Sequence, residues 1–224
     1  MELEKLYNIN LYQGDCMELM KQYPDKYFDL SIVDPPYGIN APKMAATPCQ
    51  RKSGNKRLNS GSGKIKDSKS NNSNYEWDNS IPTDDYFKEL FRVSTNQIIW
   101  GGNYFPLPPS RCILCWDKCQ PWENFSQIEL AWTSFGNPAQ IFKFDNRTGG
   151  KIHPTQKPVQ LYKWLLQKYA KEGDKILDTH FGSLSIGIAC HDLHFELTAS
   201  ELDKEYYELG KNRLMWHQKQ LNLF

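Results

Sequence analysis

Phe28-Asp29-Leu30-Ser31-Ile32-Val33-Asp34-Pro35-Pro36-Tyr37 is an apolar run of strand length that ends in a carboxylate, two prolines and an aromatic ring. Each proline fixes its own φ, lacks an N–H and pushes the residue before it toward extended backbone, so the strand stops at Asp34 and no helix absorbs the carbonyls there. A carbonyl and the Asp34 carboxylate are then both free to accept hydrogen bonds from a planar amino group, while Tyr37 offers a ring face for stacking. An exocyclic amine such as adenine N6 suits that arrangement. An ordinary strand-terminating turn has the same composition, so the rest of the chain must decide.

Working outward, the pattern is strand, turn, helix, strand. Leu6 to Tyr12 reads as a strand, Gln13-Gly14-Asp15 as a turn and Cys16 to Gln22 as a helix before Phe28 to Val33. Asp84 to Val93 reads as a helix with Tyr86, Phe87, Leu90 and Phe91 on one side, leading to a strand over Gln97 to Trp100 and a Gly101-Gly102-Asn103 turn. Cys112 to Trp116 and Ile128 to Trp132 read as strands, and Ser134 to Gly150 as a loop. Pro158 suits a first helical turn; Tyr162, Leu165, Leu166 and Tyr169 form a stripe, and Gly173 ends the helix. Lys175 to Asp178 (strand), Ser183 to Cys190 (helix), Phe195 to Glu201 (strand) and Asp203 to Gln220 (helix) complete the series. Such alternation specifies an α/β fold with a parallel sheet.

Four acids, Asp15, Asp34, Asp178 and Glu201, follow apolar runs directly or within two residues. In open parallel sheets ligands gather outside the carboxyl ends of the strands, so these acids would crowd one rim. After Asp178 the turn Thr179-His180-Phe181-Gly182-Ser183-Leu184-Ser185 delivers a helix N-terminus to that rim. Glu201 is placed to accept from ribose hydroxyls, and an acidic rim favours a cationic, nucleoside-bearing cofactor such as S-adenosylmethionine. The full glycine fingerprint of nicotinamide-binding folds is absent.

At 224 residues with 39% hydrophobic content, the chain is large enough for one domain with a sizeable core, and its net charge of +1 announces no partner. Distribution is more informative. Residues 41–74 carry Lys43, Arg51, Lys52, Lys56, Arg57, Lys64, Lys66 and Lys69 against the single acid Asp67, a local balance of +7. A flexible basic insertion over about 39–80, just downstream of Tyr37, would contact DNA phosphates; a solvated linker is the bland alternative. Gly61-Ser62-Gly63-Lys64 fails as a phosphate loop because positions 58 and 65 are Leu and Ile. The six cysteines suit reduced thiols in a cytoplasmic protein; Cys112, Cys115 and Cys119 make an incomplete zinc set, and no metal site is expected. No stretch is long enough to span a membrane.

Taken together, Gln13-Gly14-Asp15-Cys16, Asp34-Pro35-Pro36-Tyr37-Gly38, His153-Pro154-Thr155-Gln156-Lys157-Pro158, Leu177-Asp178 with Phe181-Gly182-Ser183, Glu201-Leu202-Asp203, and Tyr207 with Arg213 resemble the β group of amino-methylating DNA methyltransferases. The resemblance covers nearly everything outside the 39–80 segment and the central strands. It implies a Rossmann-like methyltransferase fold: a mostly parallel, doubly wound sheet with an antiparallel edge strand, in circularly permuted motif order, the catalytic motif preceding the cofactor motif. It also implies S-adenosylmethionine as cofactor and DNA as partner, with one methyltransferase domain over 1–224. Asp34 and the Pro35 carbonyl would hold the target amine, with Pro36 completing the rigid turn, and Tyr37 would stack on a flipped-out base. Asp178, Phe181, Gly182 and Ser183 would border the cofactor, Glu201 and Leu202 would take its ribose end, Asp15 and Cys16 would lie near its adenine, and Lys157 would face its amino-acid end.

In this family Asp at the first motif position goes mostly with adenine N6 and Ser with cytosine N4. A cytosine-N4 enzyme, a methyltransferase for protein or RNA amines, and a DNA-binding module with a defunct cofactor site are the alternatives. The last is motivated by one departure: Leu184 stands where the family usually has a second glycine, bringing a side chain where backbone would approach a ligand. A homodimer is compatible with the sequence, which fixes neither oligomeric state nor target site.

Overall fold

A computed structural model describes residues 2–39, 81–121, 126–145, 151–153 and 155–221. The basic segment 41–74, Cys49 and Pro154 lie outside the described residues. The described chain forms a nine-stranded sheet: β1 (Glu4–Leu6), β2 (Ile9–Gln13), β3 (Phe28–Val33), β4 (Ser94–Trp100), β5 (Leu114–Asp117), β6 (Ile128–Thr133), β7 (Gln140–Lys143), β8 (Lys175–Asp178) and β9 (Glu196–Glu201). The helices are α1 (Cys16–Met20), α2 (Asp84–Val93), α3 (Val159–Tyr169), α4 (Ser185–Asp192) and α5 (Lys204–Leu221).

The strand order is β1-β2-β9-β8-β3-β4-β6-β5-β7, and β2, β9, β8, β3 and β4 run parallel. From β3 the chain winds outward through α2 to β4, and from β8 it winds the opposite way through α4 to β9. The β3/β8 seam is therefore the topological switch point, where doubly wound sheets bind ligands. Here Leu30 pairs with Ile176 and Ser31 with Leu177.

Helices cover both faces. Leu30, Ile32, Ile98, Ile176 and Leu197 pack with Leu161, Leu165 and Leu166 of α3, Ile186 and Ala189 of α4 and Leu214 of α5. Val33, Ile99 and Leu177 pack on the other side with Leu19 and Met20 of α1 and Tyr86, Phe87, Leu90 and Val93 of α2. Strands covered on both faces read as continuous apolar runs, as Phe28 to Val33 does. The buried positions of α2 recur at helical spacing, with Asp84 and Asp85 at its positive end.

The strand expected from Gln97 begins at Ser94, the helices expected over Cys16 to Gln22 and Ser183 to Cys190 run Cys16–Met20 and Ser185–Asp192, and four further differences bear on the fold. Leu6 to Tyr12 is two strands, because Tyr7 turns the chain at φ 57° into the β1–β2 hairpin. Cys112 to Trp116 is a strand over Leu114–Asp117. Ser134 to Gly150, expected as a loop, contains β7, whose four residues pair in parallel with β5. The helix expected to run from Pro158 to Gly173 has Pro158 as its cap and stops at Tyr169, so Gly173 serves the following turn at φ 88°. The antiparallel edge strand is present as β1, and β6 adds a second antiparallel strand inside the sheet, against β4 and β5.

Candidate active site

The four acids come from four neighbouring parallel strands. Glu201 and Asp178 end β9 and β8, Asp34 follows β3 directly, and Asp15 lies two residues beyond β2. They share one rim.

Asp15 acts as a cap: it is exposed and accepts from Met17 N at 2.8 Å at the start of α1. Burial, with Asp15 adding, pushes the neighbouring Cys16 thiol up to about 12, which leaves it unreactive. Gly14 N donates to Glu201 O, tying this turn to the end of β9.

The loop after β8 is built around Glu201. Its Oε2 accepts from Gly182 N at 2.9 Å and its Oε1 from Asp203 N at 3.0 Å. Those two bonds leave lone pairs on both oxygens for further donors such as hydroxyls. Leu202, 69% exposed, flanks it. Gly182 takes φ 49° and Leu184 φ 54°, both left-handed. Leu184 thus adopts the backbone that the missing glycine would favour. Its side chain is fully buried and turns inward: a Cβ on Gly187 would sit 2.7 Å from Leu184 Cγ, and one on Gly210 3.1 Å from Leu184 Cβ. Arg213 fastens the loop from α5, donating to Ser183 O at 2.7 Å and Ser185 Oγ at 2.9 Å. The expectation of a side chain intruding on the ligand face is therefore corrected: Leu184 fills a niche between α4 and α5.

The Asp34 tip is next door. Tyr37 donates through its hydroxyl to Asp34 Oδ1, and its ring lies so close to Gly101 that a Cβ there would come within 2.2 Å. Gly101, at φ 70°, is required by that approach. Tyr104 stacks on Tyr37 with centroids 5.1 Å apart and planes 17° from parallel.

Lys157 departs from expectation. Read alone, a lysine there is a solvated surface charge; instead it is 3% exposed. Its Nζ bonds Asp34 Oδ2, lies 3.3 Å from Tyr37 OH and 3.1 Å from Glu129 Oε2. Burial acts to strip its proton, but Asp34 and Glu129 outweigh burial and hold its pKa above the usual lysine value. Glu129, on β6, is kept ionised against its burial by Lys157 and Lys118, the latter 2.6 Å from its Oε1. Glu129 and Lys118 were not anticipated; a carboxylate inside the apolar run Ile128-Glu129-Leu130-Ala131-Trp132 was the available signal.

The same segment joins the two halves of the site. His153, 9% exposed, packs against Gly182, where a Cβ would lie 3.5 Å from its Cδ2, and against Tyr206 at 4.3 Å. Four residues later Lys157 reaches Asp34 and Tyr37. One short stretch therefore spans from the β8 loop to the β3 tip.

Asp178 lies at the centre of the rim, 2% exposed and accepting from His180 N at 3.0 Å. Burial, reinforced by Asp34 and Glu201, pushes its carboxyl up to about 8. Burial holds its proton against the opposing pull of Lys157, so a cationic ligand placed beside it would favour the ionised carboxylate. Together with the available lone pairs of Glu201, it fits a sulfonium-bearing nucleoside.

Comparison with known proteins agrees with this geometry. Residues 50–212 match the family model described as DNA methylase, N6_N4_Mtase. The chain is 26% identical to the type II methyltransferase M2.MboI of Moraxella bovis, over 92% of this chain and 87% of that one. It is 28% identical to M2.DpnII of Streptococcus pneumoniae, over 63% of this chain and 50% of that one. In fold it resembles the M1.HpyAVI–SAM complex (TM-score 0.55, 19% identity, 92% and 99% covered) and the cytosine-N4-specific PvuII DNA methyltransferase (TM-score 0.58, 13% identity, 96% and 93% covered). The catalytic-type turn, the acidic rim and the family match over most of the sequence converge: this chain belongs to the N6/N4 DNA methylases, enzymes that use S-adenosylmethionine to methylate DNA.

Proposed function

We propose that the protein methylates the N6 amino group of adenine in a base extruded from the DNA stack. The observation that carries the reading is the placement of Asp34 and Tyr37 at the tip of β3, across the switch point from Asp178 and Gly182. An Asp at the first motif position is also what the family resemblance associates with adenine.

Extruding the base costs about a few kcal/mol of stacking and pairing. Tyr37 recovers part of this by stacking on the ring. The amine then donates one hydrogen to Asp34 and the other to the Pro35 carbonyl, which draws its lone pair out of conjugation and toward the methyl donor. Glu201 and Leu202 would hold the ribose end of the cofactor, Asp15 and Cys16 would lie by its adenine, and Asp178, Phe181, Gly182 and Ser183 would border its centre. When bound, the cofactor would supply a methyl group on positively charged sulfur, a charge that the acidic rim would favour. Lys157 would face the cofactor's amino-acid end. Residues 39–80 supply phosphate contacts through their basic side chains, which predicts a steep fall of DNA affinity with salt.

Incubation with labelled S-adenosylmethionine and mixed-sequence DNA, followed by mass spectrometry of the nucleosides, tests the assignment. N6-methyladenine is expected; N4-methylcytosine would transfer the reading to the other base, and no modified nucleoside would overturn it.

A further inference from the structure

Asp34 has two claimants. In the structure its Oδ2 is bonded by Lys157 and its Oδ1 by Tyr37, yet the proposed reaction asks the same carboxylate to face an amine nitrogen that gains positive charge as it is alkylated. An ammonium held on that carboxylate cancels the field the nitrogen needs. Lys157 therefore has to yield, and because its Nζ is buried it cannot retreat to solvent.

Glu129 is the group that can receive it. It stands on β6, separated from β3 only by β4, so it is fixed to the sheet rather than to a loop. Lys118 pins its Oε1 at 2.6 Å, which keeps it from following Lys157 toward Asp34. Its Oε2 is buried and, although Lys157 Nζ lies 3.1 Å away, no hydrogen bond of good alignment reaches that oxygen among the described residues. A buried carboxylate oxygen without an aligned donor is costly, and a small shift of one ammonium would satisfy it. The indole rings of Trp100 and the phenol of Tyr37 flank the ammonium at 5.3 and 5.8 Å, giving it favourable faces along the way.

We propose that Glu129, pinned by Lys118, is a positioning residue for the reaction: it draws Lys157 off Asp34 when the target amine arrives, so that the Asp34 carboxylate faces the nitrogen. The proposal rests on the reading of Asp34 as the amine's acceptor. Glu129 touches neither base nor cofactor; it acts through Lys157.

The test is a double-mutant cycle read in single-turnover methylation at saturating cofactor and DNA. Glu129→Gln is expected to slow the step by about tenfold or more, because Lys157 stays on Asp34, with cofactor affinity within about twofold of the parent. In a Lys157→Met background the same substitution is expected to change the rate by less than about twofold, since there is no ammonium left to withdraw. Glu129→Asp, which keeps the charge one methylene farther back, is expected to fall between, and it carries the comparison if Glu129→Gln does not fold. A wild-type rate in Glu129→Gln or Glu129→Asp overturns the proposal. So does an equal loss in both backgrounds. A merely structural chain of charges would place the coupling in melting temperature and none in rate. If Asp34→Ala itself retains turnover, the reading of the site fails; if Asp34→Ala is inactive while Glu129→Gln is not impaired, only this inference fails.

Discussion

Leu184→Gly restores the residue type that the family motif has in the loop after β8, and the structure says that it will destabilise the protein. Two terms compete. The left-handed backbone at Leu184, φ 54° and ψ 35°, costs a side-chain-bearing residue about 1–2 kcal/mol, which glycine recovers. Against this, the leucine side chain is fully buried between α4 and α5, and removing one of that size costs about 2–5 kcal/mol with incomplete collapse of the niche. Glycine also gives the unfolded chain more freedom, worth about 0.4–1 kcal/mol. The balance is a loss of about 2–3 kcal/mol, a fall in melting temperature of roughly 5–10 °C for a chain of this size. Thermal and urea unfolding, followed by circular dichroism, measure it. A variant as stable as the parent, or more so, would mean that strain outweighs packing here and would refute the account of Leu184 as a niche-filling residue. Gly187→Ala supplies a control: its Cβ would meet Leu184 Cγ at 2.7 Å, so it should harm the parent but be tolerated once Leu184 is Ala.

Asp34→Ala should lower the methylation rate by at least about 10²–10³-fold while leaving S-adenosylmethionine binding by calorimetry largely intact, because it removes the proposed acceptor of the amine and leaves the loop after β8 untouched. Asp178, with its pKa raised to about 8 chiefly by burial, holds a proton at neutral pH and must release it to face a cation. Cofactor affinity should therefore climb with pH and level off above about 8, and Asp178→Asn should flatten the profile; an unchanged climb in the variant would exclude Asp178 as its source. His153 is held neutral, its pKa lowered to about 4 by burial and by Lys157, whereas the unfolded chain protonates it near 6.5. Its contribution of about 3 kcal/mol should be lost as pH falls from 6.5 toward 4, and His153→Gln should lose less stability over that interval in urea titrations.

The sequence makes the sheet legible because its central strands are buried on both faces and so announce themselves as apolar runs bounded by turns; β3, α2 and β8 lie where the pattern puts them. β7 escaped because Gln140-Ile141-Phe142-Lys143 is a short edge strand whose Ile141 is 63% exposed, and nothing in its composition separates it from the loop around it. The motif residues were legible as a set, and their rim placement follows from parallel topology. The ion pairs were not. Which cation meets which carboxylate depends on strand order across β4 and β6, and Glu129 and Lys118 lie in parts of the chain that no motif covers. Leu184 shows the opposite limit: a missing glycine marks a demanding backbone position, but only the packing around Gly187 and Gly210 reveals where the replacement goes.

The seam between β3 and β8 also has a consequence for biogenesis. Lys175 N bonds Asp29 Oδ2 across 146 residues of sequence, so the strand that ends at Asp34 leaves the ribosome long before its neighbour exists. During that interval β3 can dock on β4 yet still exposes a row of unpaired backbone N–H and C=O groups on its other side, a standing invitation to mispair with another nascent copy. Translation that stalls before Lys175 therefore yields a chain without the β8 end of the rim and with an adhesive open flank, and the arrival of β8 both joins Asp178 to the other rim acids and covers the edge of β3.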